Sequence, residues 1–420
     1  MNQEIRGSIF NSIFLTGGAM ADIRSYMKEK EKRERRQEDY KDKIARHKLA
    51  SFYRVVAVIA VLAVLGVFFF LQYQRHVYTD YDIIASVERQ SVGGAVDVRL
   101  GDAILTYSKD GAHCTDVKGN VTWNQTFEIQ DVRLSVSGNS LAIGEYNGRN
   151  IYLANAENLL GQITTTMPVR DLAVSEAGYV TAILADGDVT WINTYNSSGE
   201  MVRDGRTHMD DSGYPMALSL SPNGELLCVA YVYVDAGVLR TEVVFYNFGD
   251  VGSNYGDHLV SGWAYTDMLI PYVKFINDET SFAVGDSRLM IYTGALVPGS
   301  PVEHLYDREI QYVFSSDRYI GLVFLSDSSE SRYQLKVYDT ADARPENVKD
   351  FYFDLEYTDI FFQKDKFILY NETECQIMTL DGVEKFRGSF PKPVRMMLPV
   401  GNGYKYLLVT DDSMDTIQLK

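Results

Sequence analysis

The chain has 420 residues, 46% of them hydrophobic and 23% charged, with 40 Lys and Arg against 57 Asp and Glu. Those proportions exclude a disordered chain, a collagen and a polytopic transporter, and the length allows two or three ordinary domains or one large repeat domain with appendages. Charge is split unevenly: residues 1–54 carry 13 basic and 8 acidic side chains, while residues 55–420 carry 27 and 49, a net of +5 against −22.

Residues 1–54 read as a basic cytoplasmic tail. After Gly17-Gly18, residues 21–54 contain no Gly or Pro, and Glu29/Arg33, Glu31/Arg35, Asp39/Lys43 and Asp42/Arg46 stand four apart with the acid first. This predicts a helix with side-chain pairs worth a few tenths of a kcal/mol each. Residues 1–19 break with that pattern. Gly17-Gly18 just ahead of Met20 fits a ribosome-binding sequence before a start at Met20, and the rival is an apolar extension carrying Ile9, Phe10, Ile13, Phe14 and Leu15.

Residues 55–74 form a 20-residue stretch without a charge. At about 1.5 Å per residue a helix there spans roughly 30 Å, the thickness of a hydrocarbon core. Tyr53, Tyr73 and Tyr78 stand where interfacial aromatics belong. Lys41, Lys43, Arg46, Lys48 and Arg54 precede the stretch, and only Arg75 follows closely. The positive-inside rule therefore expects a single-pass signal anchor in the cell membrane, with a cytoplasmic N-terminus and an extracytoplasmic C-terminal part. Residues 75–81 are then a short tether.

Residues 82–420 read as all-β. Runs rich in Val, Ile, Tyr, Phe and Thr, among them 103–108, 140–144, 179–185, 225–233, 281–285, 319–324, 366–370 and 404–410, alternate with turn clusters. Lys109-Asp110-Gly111, Ser221-Pro222-Asn223-Gly224 and Asp381-Gly382 are such turns. Asp97-Val98-Arg99-Leu100 recurs as Asp131-Val132-Arg133-Leu134. Taking Leu100, Leu134, Leu172, Leu218, Val273, Val313, Ile360 and Met397 as landmarks gives spacings of 34, 38, 46, 55, 40, 47 and 37. A mean near 42 is the period of four-stranded propeller blades. Seven or eight blades fit, since the 55-residue spacing can hide an irregular insertion. A pair of β-sandwiches is the rival, but it needs a central linker that the chain lacks. The last repeat has room for only three strands, so residues 82–89 are expected to supply the fourth and close the circle.

The segment LSLSPNGELLCVAYVYV resembles WD40-like and TolB-like blades, with a Ser-Pro-Asn-Gly turn between two inner strands. AILTYSKDGAHCTDVKGNVTW resembles pyrroloquinoline-quinone-type repeats. The arrangement as a whole resembles uncharacterised bacterial families of membrane-anchored propellers. The resemblance implies a β-propeller and no particular activity.

Candidate chemistry is sparse. Gly119-Asn120-Val121-Thr122-Trp123 and Gly187-Asp188-Val189-Thr190-Trp191 approach the Asp box of sialidases, but an extra residue separates Gly from Thr-Trp, and their offsets from the landmarks differ. They are read as hairpin turns leading into different strands. His113-Cys114, with Cys228 and Cys375 far away, lacks metal-site spacing, and an odd number of Cys argues against a disulfide framework. Asp210-Asp211-Ser212-Gly213 and Asp411-Asp412-Ser413 lack calcium-loop spacing and read as solvated turns. No catalytic, cofactor or metal residue is therefore assigned, and no cofactor is expected. The 29 Tyr and 20 Phe, clustered at Tyr231/Tyr233, Phe351-Tyr352-Phe353 and Phe361-Phe362, read first as packing between blades and second as a binding surface. The acidic exterior disfavours nucleic acid and other polyanions. What remains is a non-catalytic binding or scaffold module whose partner is an envelope protein or glycan. The alternative is a propeller-type glycan hydrolase or lyase with facing carboxylates at the central channel.

Overall fold

A computed structural model describes residues 25–36, 40, 48–49, 51–69, 72, 76–90, 93–187, 189–208, 213–401 and 403–420. The readings made for residues 1–19, Met20 and Asp210-Asp211-Ser212 lie outside them. Two compact units are present, 1–76 and 77–420. In the first, residues 25–36 are helical and Glu29 pairs with Arg33 at 3.1 Å. Ser51–Phe69 is a further helix, long and apolar enough to cross a membrane.

The second unit is a β-propeller of eight four-stranded antiparallel blades. Blades 1 to 7 span residues 96–126, 132–164, 169–208, 214–266, 272–305, 312–353 and 359–389, each in simple up-and-down order. Blade 8 combines three strands, Met396–Pro399, Lys405–Val409 and Ser413–Leu419, with Tyr81–Glu88. That first strand runs antiparallel to the last, with Tyr81 opposite Leu419 and Glu88 opposite Ser413. The expected closure is therefore present. Each of the eight sequence landmarks falls in the innermost strand of its own blade, Leu100 in Val96–Leu100 through Met397 in Met396–Pro399. The 55-residue spacing belongs to blade 4. Its middle strands, Leu226–Asp235 and Val238–Asn247, have 10 residues each, and two short 3-10 turns follow before the outer strand Leu259–Thr266.

Alternation along these strands puts apolar side chains on both faces of each sheet, so a blade is stable only between two others. Eight apolar clusters meet that need, each joining one pair of neighbouring blades, and together they go round the ring. Between blades 4 and 5, buried Phe245 meets Trp263 and Tyr292 with ring centroids 6.0 and 5.1 Å away. Phe245→Ala would cost about 3–5 kcal/mol there. The aromatic runs of the sequence mostly serve this packing: Tyr231, Phe351, Phe353 and Phe362 are buried, and Tyr352 is exposed. The seam between blades 8 and 1 adds a polar cluster of Arg89, Asp97, Thr106 and Arg395 to a small apolar one.

Up-and-down blades give the ring two distinct faces. One, the connecting face, carries the links between blades and the hairpins joining second to third strands. The opposite face carries the remaining hairpins and the start of the closing strand. Thr79 N–H donates to Lys420 O at 3.1 Å and Lys420 N–H to Asp80 O at 2.9 Å. Tyr78 packs its ring 4.5 Å from that of Tyr404.

Candidate functional site

A groove of about 790 Å³ lies on the connecting face between blades 5 and 6. Three tyrosines line it. Tyr272 opens the inner strand of blade 5, Tyr312 opens that of blade 6, and Tyr306 begins the link between them. Residues 307–310 of that link form the wall. Tyr306 N–H donates to Ser287 O and Gln311 N–H to Val323 O, both at 2.8 Å, while the residues between make no backbone–backbone bond to another described residue. Gly285 allows the preceding link to approach closely, because a Cβ there would stand 2.6 Å from Met268 Sδ and 3.1 Å from Leu269 O.

Each ring is fixed differently. Tyr312 Oη donates to Asp359 Oδ1 at 2.7 Å, and burial together with that carboxylate raises its pKa. Tyr306 Oη shares a hydrogen bond with Tyr338 Oη, and its ring packs 4.8 Å from Phe324. Tyr272 is 36% exposed, and burial raises its pKa to about 12, so its hydroxyl stays neutral. Exposed Asp286, Asp307 and Glu309 surround it. Arg308 also lines the groove, one positive charge against these three carboxylates. Its guanidinium donates to Leu325 O at 3.1 Å, Asp327 at 3.0 Å and Gln334, and lies over Phe324. The lining is thus aromatic and acidic, and contains no His, Lys or Cys. Such a surface can hold a cationic, partly apolar group.

The sequence candidates lie elsewhere. Trp123 is in the outer strand of blade 1 and Trp191 in the third strand of blade 3, so the two Gly…Thr-Trp segments do occupy different strands. Trp123 Nε1 donates to Asn155 O at 2.6 Å, a bond to the neighbouring blade. Cys114, Cys228 and Cys375 are all free and buried, each in a different blade. Among the described residues, no three His, Cys, Asp or Glu side chains gather as a metal site. Asp411 pairs with Arg395 at 2.9 Å. Three carboxylates stand on inner strands. Asp97 is held by arginines, Asp171 accepts from Leu172 N–H at 2.9 Å, and Asp359 accepts from Tyr312. Asp171 and Asp359 belong to blades 3 and 7, on opposite sides of an eight-blade ring. The groove itself had no sequence signal beyond the surplus of Tyr.

Solved structures with the same fold include Sqt1 from Chaetomium thermophilum, 14% identical with a TM-score of 0.50, covering 80% of this chain and 98% of that one. AztD from Citrobacter koseri is 8% identical with a TM-score of 0.50, covering 75% and 90%. BamB from Moraxella catarrhalis is 11% identical with a TM-score of 0.46, covering 81% and 100%. No curated protein sequence matches the chain. Residues 74–419 match the model of a family described as one of unknown function, DUF5711.

Proposed function

Because the chain belongs to DUF5711, a family without an assigned activity, we propose its function from its own fold and groove: a membrane-anchored extracytoplasmic propeller that binds a protein of the cell envelope without catalysis. The observation that carries this reading is the acidic, tyrosine-lined groove between blades 5 and 6. Its lining favours a partner segment that brings a Lys or Arg beside an apolar side chain. The helix Ser51–Phe69 and the excess of basic residues before it support an anchor, with residues 55–74 in the membrane, the N-terminus in the cytoplasm and residues 82–420 outside. Residues 75–81, of which Thr79, Asp80 and Tyr81 already bond to the last strand, are too short to let the ring drift far, at most roughly 3.5 Å per residue. A partner at or near the bilayer surface fits that reach.

The test is site-specific photocrosslinking in intact cells. A photoreactive residue at Tyr272 or Gln311 should give one discrete adduct, abolished by Asp307→Lys with Glu309→Lys, while the same residue at Asn158 on the opposite face should not. Adducts that ignore the charge reversal would remove the groove from the reading. An impermeant amine reagent checks orientation, since labelling confined to Lys28–Lys48 in intact cells would reverse it.

A further inference from the structure

A second cluster on the connecting face lies at the channel mouth, where the inner strands of blades 2, 3 and 4 begin. Arg133 in Val132–Ser137 and Arg170 in Val169–Val174 both converge on Tyr146, with guanidinium carbons 4.9 and 5.2 Å from its ring centroid. Tyr146 is placed by its own hairpin. Its N–H donates to Asp131 O at 2.9 Å, and Asn147 N–H donates to Val169 O at 2.8 Å, which ties the hairpin of blade 2 to the inner strand of blade 3. Tyr214, the first residue of blade 4's inner strand, feels the charges of both arginines and of Asp171.

The arginines are under-satisfied. Arg170 donates to Asn147 Oδ1. Arg133 meets Asp131 only at 3.5 Å, and its Nε is buried without a hydrogen-bond partner. A guanidinium stays charged and carries five N–H donors, and in Arg133 the buried Nε has no acceptor among the described residues. The nearby carboxylate of Asp171 accepts from Leu172 N–H at 2.9 Å, and burial raises its pKa against the opposing effects of that bond and of the Arg133 charge. On a strongly acidic exterior, two guanidinium forks and an aromatic ring converge here, with Asp131 and Asp171 the carboxylates beside Arg133 among the described residues.

We propose that Arg133, Arg170 and Tyr146 form an oxyanion-binding site that takes a sulfate, a phosphate or a carboxylate at the channel mouth. The fork geometry of Arg suits planar or tetrahedral oxyanions through paired N–H···O bonds, and Tyr146 holds the two forks in place by cation–π contact. This site is independent of the groove between blades 5 and 6.

Titration of the full chain in detergent with sodium sulfate, sodium phosphate and N-acetyl-dialanine, each at constant ionic strength against chloride, tests the proposal by calorimetry and melting temperature. At least one arm should show saturable binding. Sulfate or phosphate alone would mean a free inorganic ion, and the capped peptide alone would mean a carboxylate of a partner chain. Arg170→Gln should weaken that binding by at least about tenfold, and Arg133→Lys, which keeps charge and packing but not the fork, by a similar factor. Arg149→Gln, an exposed arginine on the same hairpin, should leave it unchanged. Absence of saturation in all three arms, or equal losses from Arg149→Gln and Arg170→Gln, would overturn the assignment.

Discussion

Arg89 and Asp97 tie the strand that closes the ring to the blade that begins it. Both oxygens of Asp97 face the Arg89 guanidinium, with Nη1–Oδ2 at 3.0 Å, and the two side chains are 11% and 2% exposed. Thr106 Oγ1 donates to Asp97 at 2.7 Å, and Arg89 also reaches Thr410 O at 3.3 Å. Residues eight apart in sequence thus lie on different blades and bridge the seam.

Removing one partner leaves a buried charge uncompensated. Asp97→Ala should lower the unfolding free energy by about 3–5 kcal/mol, read as a fall in urea midpoint. The double variant Arg89→Met/Asp97→Leu should recover most of that loss, because the apolar pair needs no desolvation offset.

Closure by Tyr81–Glu88 predicts a cooperative effect of truncation. A soluble fragment beginning at Thr79 should melt well above one beginning at Gly93, since the shorter form exposes the edge of Ser413–Leu419. Equal melting temperatures would show that blade 8 holds with three strands.

Asp359 sets a pH dependence. Burial raises its pKa above the ordinary 3.8, although the hydrogen bonds from Tyr312 and Ile360 oppose the shift. The folded state therefore holds this proton longer than the unfolded chain does. Stability falls as pH climbs from about the unfolded value through the raised folded one. Asp359→Asn should flatten that part of the curve and match or exceed the parent at neutral pH, as followed by denaturation at a series of pH values.

The three cysteines offer a simple check on the core. Burial raises the thiol of Cys228, and that of Cys375 to about 12, so neither presents a thiolate at neutral pH. A thiol reagent should leave the native protein unlabelled and titrate all three in denaturant. Fast labelling of the native form would contradict the packing of blades 4 and 7.

Much of this fold is legible because blade grammar is local. Leu134, Leu172 and Leu218 mark inner strands through the apolar run, tight turn and second run that follow each of them. Counting strands in the last repeat also exposes the missing partner of Ser413–Leu419. Seven and eight blades could not be separated because blade 4 breaks the period with its long hairpin and 3-10 turns. The groove stays hidden for another reason. Tyr272, Tyr306 and Tyr312 look like any strand aromatics until two blades are set side by side, and the charge around them depends on Arg308 turning toward Asp327. The same holds for Arg133 and Arg170, which meet only through a hairpin between them.

The pairing of Tyr81 with Leu419 has a consequence for synthesis. The first strand of the ring to leave the ribosome is the last to find its partner, after more than 300 further residues have been made. Blades 1 to 7 can stack as they appear, while Tyr81–Glu88 waits as an open β-edge beside the growing chain. During that interval the nascent molecule is most exposed to mispairing with another copy, and the pairing of residues 413–419 with the first strand ends it. Stop codons or tags that disturb residues 413–419 would thus act on the oldest strand of the propeller through the youngest.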